Sequence, residues 1–148
     1  MSGPRRRPAS AKAATAGYSG TPLARKLGIA EGTQVLLKGA PGQYRAWLEP
    51  LPPNVRFVAR LSAATDLVHL FATRRTDLQR ELLALRPRIR PSGAVWVSWP
   101  KQSCGMTTDI TEGTIREIAL PLGFVDIKVC AVSEAWSGLK LVIRKALR

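Results

Sequence analysis

Few side chains in this chain could do covalent or metal chemistry. There is one histidine, His69, and there are two cysteines, Cys104 and Cys130. His69 lies inside the apolar run "DLVHLFA", which reads as a buried strand, so it is expected to be a satisfied core residue and not an exposed base. A metal site built on imidazoles needs more than one of them, and the cysteines lack C-x-x-C spacing, which argues against a zinc knuckle or a disulfide framework. Cys104 has small neighbours in Ser103 and Gly105, but a nucleophilic thiol needs a partner base and no histidine is in reach. It reads as an ordinary free cysteine, and Cys130 as a buried mid-strand residue. No catalytic residue and no metal ligand is assigned.

The stretch "VLLKGAPGQY", Val35 to Tyr44, is the better candidate. It reads as a buried strand running straight into a glycine-bearing turn, the place where α/β proteins of the dinucleotide and S-adenosylmethionine type hold a cofactor. Gly39, Ala40 and Gly42 are the expected contacts on one side of the crevice. Trp99 and Lys101, at the end of a later strand, are expected on the other. Lys38, Arg60 and Lys101 all fall near C-terminal strand ends, where positive charge suits a phosphate or carboxylate. A small ligand there is therefore expected to be anionic, with Asp109 committed to capping a helix. Trp136 and Tyr18 flank glycines in turns that could cover the crevice mouth.

The elements that must position these residues follow from periodicity. "TPLARKLG" reads as a short helix with Thr21 as N-cap, Pro22 in the first turn and Gly28 as the stop. Thr33 to Lys38, Val55 to Leu61, "TDLVHLFA" and "AVWVSW" read as four strands, apolar enough to be covered on both faces. Between them lie a short helix at Tyr44, Trp47 and Leu48, and a longer one. The longer helix carries the stripe Leu78, Leu82, Leu85 and Ile89, with Thr76 and Gln79 as a capping box. A further helix buries Ile115, Ile118, Ala119 and Leu122, with Asp109 and Glu112 as its capping box. "FVDIKVCAVS" and "LKLVIRK" are strands joined so closely that they must form an antiparallel hairpin. The expected fold is α/β and Rossmann-like: a mostly parallel sheet of about six strands with a C-terminal antiparallel hairpin. Residues 17–148 are expected to form one domain behind a disordered tail, 1–16.

That order resembles the S-adenosylmethionine-dependent methyltransferases, most clearly at "LRPRIRPSGAVWVSWP", with one strand–helix unit missing. "GYSGTPLARKLGI", "WVSWPK", "TDITEGTIREIALPLGFVDIKVCAV" and "WSGLKLVIRK" together resemble a small bacterial family known only as a domain of unknown function, from about Gly17 to Lys145. In the methyltransferases the first strand usually ends in h-h-[DE]-h-G-x-G-x-G, and an acid at the end of the second strand holds the ribose. Here Leu37 takes the acidic position, Pro41 takes the middle glycine's place without an N–H to donate, and Arg60, which cannot accept a hydrogen bond, lies near the ribose position. The resemblance therefore implies the fold without the chemistry. No cofactor is expected, and S-adenosylmethionine is disfavoured. The expected role is binding or interaction, with an atypical methyltransferase or a non-specific nucleic-acid-associated basic protein as the alternatives.

The formal charge is +13, of which Arg5, Arg6, Arg7 and Lys12 supply four. Such a chain attracts nucleic acid non-specifically. The basic residues are nonetheless scattered, without interleaved aromatics, and any nucleic-acid binding is expected to be weak and carried by the tail. The N-terminus lacks the apolar core of a secretory signal, and no run reaches the ~18 apolar residues of a membrane span. The expected location is cytoplasmic, with no membrane partner.

Overall fold

The computed structural model describes residues 20–148; the basic tail and Tyr18 lie outside the described residues. Four apolar runs become the parallel strands β1 (Gln34–Lys38), β2 (Arg56–Val58), β3 (Leu67–Phe71) and β4 (Ala94–Pro100). The last two, β5 (Phe124–Ala131) and β6 (Trp136–Ile143), form the expected hairpin. All six join in one sheet in the order β2-β1-β3-β4-β6-β5, with β6 antiparallel to both β4 and β5. Because β5 thus runs in the same direction as β4, the β5–β6 turn emerges at the carboxyl ends of the parallel strands.

The helices are α1 (Leu23–Leu27), α2 (Tyr44–Trp47), α3 (Arg75–Leu85) and α4 (Glu112–Ala119). Every residue of β3 and β4 is buried, as strands covered on both faces require. β2 differs. It is three residues long and partly exposed, because it pairs with β1 alone at the sheet edge. One face of the sheet packs Leu36, Val68, Leu70, Val95 and Val97 against Leu78, Leu82 and Leu85 of α3 and Ile115 and Ile118 of α4. The other packs Val35, Leu67, Phe71 and Trp96 against Leu23 and Leu27 of α1 and Tyr44 of α2.

The helix ends depart from local patterns in three places. Pro22 itself is the N-cap of α1, and Gly28 closes that helix at φ 84° while its N–H donates to the Arg25 carbonyl. α3 makes no bond to a cap of its own: Asp109 Oδ1, from the loop after β4, accepts the Arg75 N–H at 2.6 Å. α4 then takes its capping box from Thr111 and Thr114. The sequence pattern pairs Asp109 with the helix that follows it, whereas the chain returns it to the preceding one.

Two buried side-chain networks tie the layers together. The Trp96 indole N–H donates to the Leu27 carbonyl at 2.8 Å. His69 is fully buried in β3, with the Tyr44 hydroxyl 2.7 Å from Nδ1 and the Ser98 hydroxyl 2.7 Å from Nε2. Burial lowers its pKa to about 3 and raises that of the Tyr44 phenol. The imidazole is therefore neutral and structural.

In the unfolded chain the same histidine takes up a proton near pH 6.5, which the folded state refuses until about pH 3. Stability must then fall as pH drops below the unfolded value. Urea unfolding should show wild type losing roughly 2 kcal/mol more than a His69→Gln variant between pH 7.5 and pH 5. Parallel pH profiles for the two proteins would contradict this assignment.

Candidate functional site

Gly39 ends β1 in the left-handed region, at φ 74°. A Cβ there would stand 2.9 Å from the Phe71 carbonyl oxygen, so the turn lies hard against the end of β3, and only glycine fits both the conformation and the contact. Gly42, at the far side of the turn, has open space around it. Two residues on, α2 begins at Tyr44, whose bond to His69 fixes where the turn ends.

Two cavities open at this end of the sheet. The first, about 330 Å³, lies between Gly39, the end of β3 at Phe71–Thr73, the start of α3, and Trp136. Its charged lining consists of two ion pairs, Lys38–Glu81 at 3.1 Å and Arg80–Asp77 at 3.0 Å, with Thr73 beside them. The second, about 630 Å³, lies between Pro41, Trp47, Met106 and the β5–β6 turn. Trp136 borders both, and its ring meets that of Phe71 edge-on, with centroids 5.0 Å apart.

The turn bearing Trp136 is well fastened. Ser133 Oγ accepts the N–H groups of Ala135 and Trp136, each at 3.2 Å, and the Lys101 N–H donates to the Ala135 carbonyl at 2.8 Å. A third cavity, about 420 Å³, opens at the opposite, amino ends of the strands among Glu31, Asp66, Arg90 and Lys140. There Asp66 accepts the Gln34 N–H at 2.8 Å and is ion-paired with Arg90, so those charges fasten strands. α/β sheets bind ligands at the carboxyl ends, which favours the first two cavities.

The residues expected from the sequence are distributed as follows. Gly39 lines the first cavity, Ala40 packs against the α2 side of the core, and Gly42 is exposed. β3 lies between β1 and β4, so Trp99 and Lys101 are two strands away from the glycine turn. Trp99 is 8 % exposed and packs into the core beside α3 and α4. Lys101 joins the crevice through its backbone, and its ammonium makes no ion pair or hydrogen bond among the described residues. Lys38 does not stand free, because Glu81 neutralises it. Arg60 is exposed and borders neither cavity. Cys104 is half-buried, and burial raises the Cys130 pKa.

No protein-family model matches the chain, and no curated protein is significantly similar to it. The resemblance to a small bacterial family of unknown function therefore gains no support from these comparisons. Solved structures do match. An S-adenosylmethionine-dependent methyltransferase from Aquifex aeolicus superposes with a TM-score of 0.62 at 12 % identity, covering 82 % of this chain and 87 % of its own. A Sulfolobus solfataricus protein ascribed to the type 11 methyltransferases gives 0.59 at 13 %, covering 83 % and 90 %. Aeropyrum pernix fibrillarin, solved with natively bound S-adenosyl-L-methionine, gives 0.55 at 13 %, covering 81 % and 73 %.

The fold is methyltransferase-like. The expectation of no cofactor is corrected by the same finding, since one of these neighbours is an S-adenosylmethionine-dependent methyltransferase and another holds the molecule. The physical reason is that the loop after β1 supplies only part of the cavity wall. The rest of the wall includes Asp77, Arg80 and Glu81 of α3 and Trp136 at the start of β6. Trp136 was legible as an aromatic beside a glycine. Asp77, Arg80 and Glu81 were missed; their clustering on the first turns of a helix that follows a strand end was the available signal.

Gly39→Ala should cost on the order of 1–2 kcal/mol, because it adds left-handed strain to a backbone collision. Gly42→Ala should leave the melting temperature nearly unchanged. Thermal unfolding of the two variants beside wild type checks the contrast, and equal losses would show that the turn is not held against β3.

Proposed function

We propose that this chain binds S-adenosylmethionine at the carboxyl ends of β1 and β3 and belongs functionally with the methyltransferases. The observation that carries the reading is the coincidence of a ligand-sized cavity with the left-handed Gly39 turn, in a sheet of the methyltransferase type. Its volume falls within the roughly 300–1,000 Å³ usual for small-molecule sites.

The lining fits such a ligand in two respects. Lys38 and Arg80 present cations beside the carboxylates of Glu81 and Asp77, a mixed set that complements an amino-acid zwitterion: the cations meet its carboxylate and the acids its ammonium. The rings of Phe71 and Trp136 offer π faces to a positive centre. Bound there, S-adenosylmethionine supplies an electrophilic methyl group carried on a sulfonium. The lining departs from the usual pattern at the ribose. β2 ends without a carboxylate, so the carboxylates within the cavity are Asp77 and Glu81. Their prior engagement with Arg80 and Lys38 means that ligand hydroxyls must compete for them, which lowers affinity.

Calorimetric titration with S-adenosylmethionine should give saturable binding. At a hundred times the dissociation constant, the stabilisation of about 2.7 kcal/mol should raise the melting temperature by roughly 2–6 °C. Trp136→Ala and Asp77→Ala should each weaken binding by on the order of 1–2 kcal/mol. A flat titration at millimolar ligand, or affinity indifferent to both substitutions, defeats the reading.

A further inference from the structure

The larger cavity differs in character from its neighbour. Its walls are the indoles of Trp47 and Trp136, with Pro41 and the half-exposed Met106. Gln43 offers a neutral amide, and the Ser133 hydroxyl already accepts two backbone N–H groups. The one ionisable side chain among the lining residues is Glu134.

That single charge is negative in a protein whose formal charge is +13. Most of its other acids are engaged. Asp66, Asp77, Glu81 and Glu117 pair with Arg90, Arg80, Lys38 and Arg75, while Glu112 and Asp126 share Arg116 and Asp109 caps α3. Glu134 is exposed and makes no ion pair or hydrogen bond among the described residues. Arg45, the basic residue of α2, lies over the Phe57 ring at 4.1 Å and does not border the cavity.

We infer that the cavity between Trp47, Met106 and Trp136 binds a small, flat aromatic ligand that carries a positive charge. Two indoles and a thioether favour a flat apolar body. A cation is attracted both by the ring faces and by an unpaired carboxylate, whereas an anion would meet Glu134 and no basic side chain among the lining residues; Lys101, bonded through its N–H to the Ala135 carbonyl, is not one of them. Shared contact with Trp136 puts this ligand beside the methyl-donor cavity. Its role as the second ligand of that site rests on the reading above, but its binding does not.

The test uses three probes with one ring system: tryptamine, indole and indole-3-acetate, titrated by calorimetry into the full chain without S-adenosylmethionine. Tryptamine should bind at least about tenfold more tightly than indole-3-acetate, with indole between them. Glu134→Gln should reduce tryptamine affinity several-fold while leaving indole unchanged, and Trp47→Ala should weaken both. Both side chains are at least partly exposed, and circular dichroism confirms that the variants fold. Tighter binding of indole-3-acetate, or no binding of any probe, overturns the inference. If S-adenosylmethionine binds and tryptamine does not, this inference falls and the methyl-donor reading stands. Tryptamine binding without S-adenosylmethionine binding has the opposite meaning.

Discussion

A neutral imidazole at the centre of the sheet must use both its nitrogens, and the arrangement of this crevice depends on how His69 does so. Leaving a buried polar group unsatisfied costs roughly 1–3 kcal/mol, so Tyr44 and Ser98 cannot drift from it cheaply. Ser98 belongs to the neighbouring strand β4, but Tyr44 belongs to α2, directly after the glycine turn. The bond thus fixes the far end of the turn, while Gly39 fixes the near end against Phe71. The Tyr44 ring also meets Phe71 and Trp47 edge-on. One wall of each cavity is therefore positioned by the same buried hydroxyl.

The opposite walls depend on a second fastening. After β4 the chain runs through a polar loop, and Thr108 and Asp109 bring it back to the start of α3: Thr108 Oγ1 donates to the Thr73 carbonyl at 2.7 Å, and Asp109 caps Arg75. The amino end of α3 is held at the carboxyl end of β3. The helix stripe of Leu78, Leu82 and Leu85 faces the core, which turns Asp77, Arg80 and Glu81 toward the crevice and its rim. Their charges reach the site because of where the helix starts, not because of any loop motif.

Much of this was legible in the sequence. Alternating apolar runs and helical stripes identify six strands and their directions, because a parallel return needs a crossover and the short joint "EAWSG" cannot supply one. Gly39 and Trp136 were recognisable as crevice residues from strand ends and glycines. The losses have common causes. Caps were assigned to the nearest helix, but Asp109 reaches a partner that is distant in sequence. β2 reads as buried because its residues are apolar, yet its edge position leaves it partly exposed. Lys38 reads as a free cation because nothing local reveals Glu81. A cofactor loop scored residue by residue contains neither the helix nor the hairpin that complete its cavity.

The two edges of the sheet end differently. β2 offers only three residues. β5 is longer and carries Ile127 and Val129 in the open, but its register shifts between Asp126 and Lys128, and the lysine stands between the two apolar side chains. A strand from another molecule needs a straight, regularly spaced row of donors and acceptors, and a bulge with an interposed charge denies it that. The bulge at Ile127 therefore does what the short β2 does at the other end: it denies an incoming strand a regular template along an apolar margin.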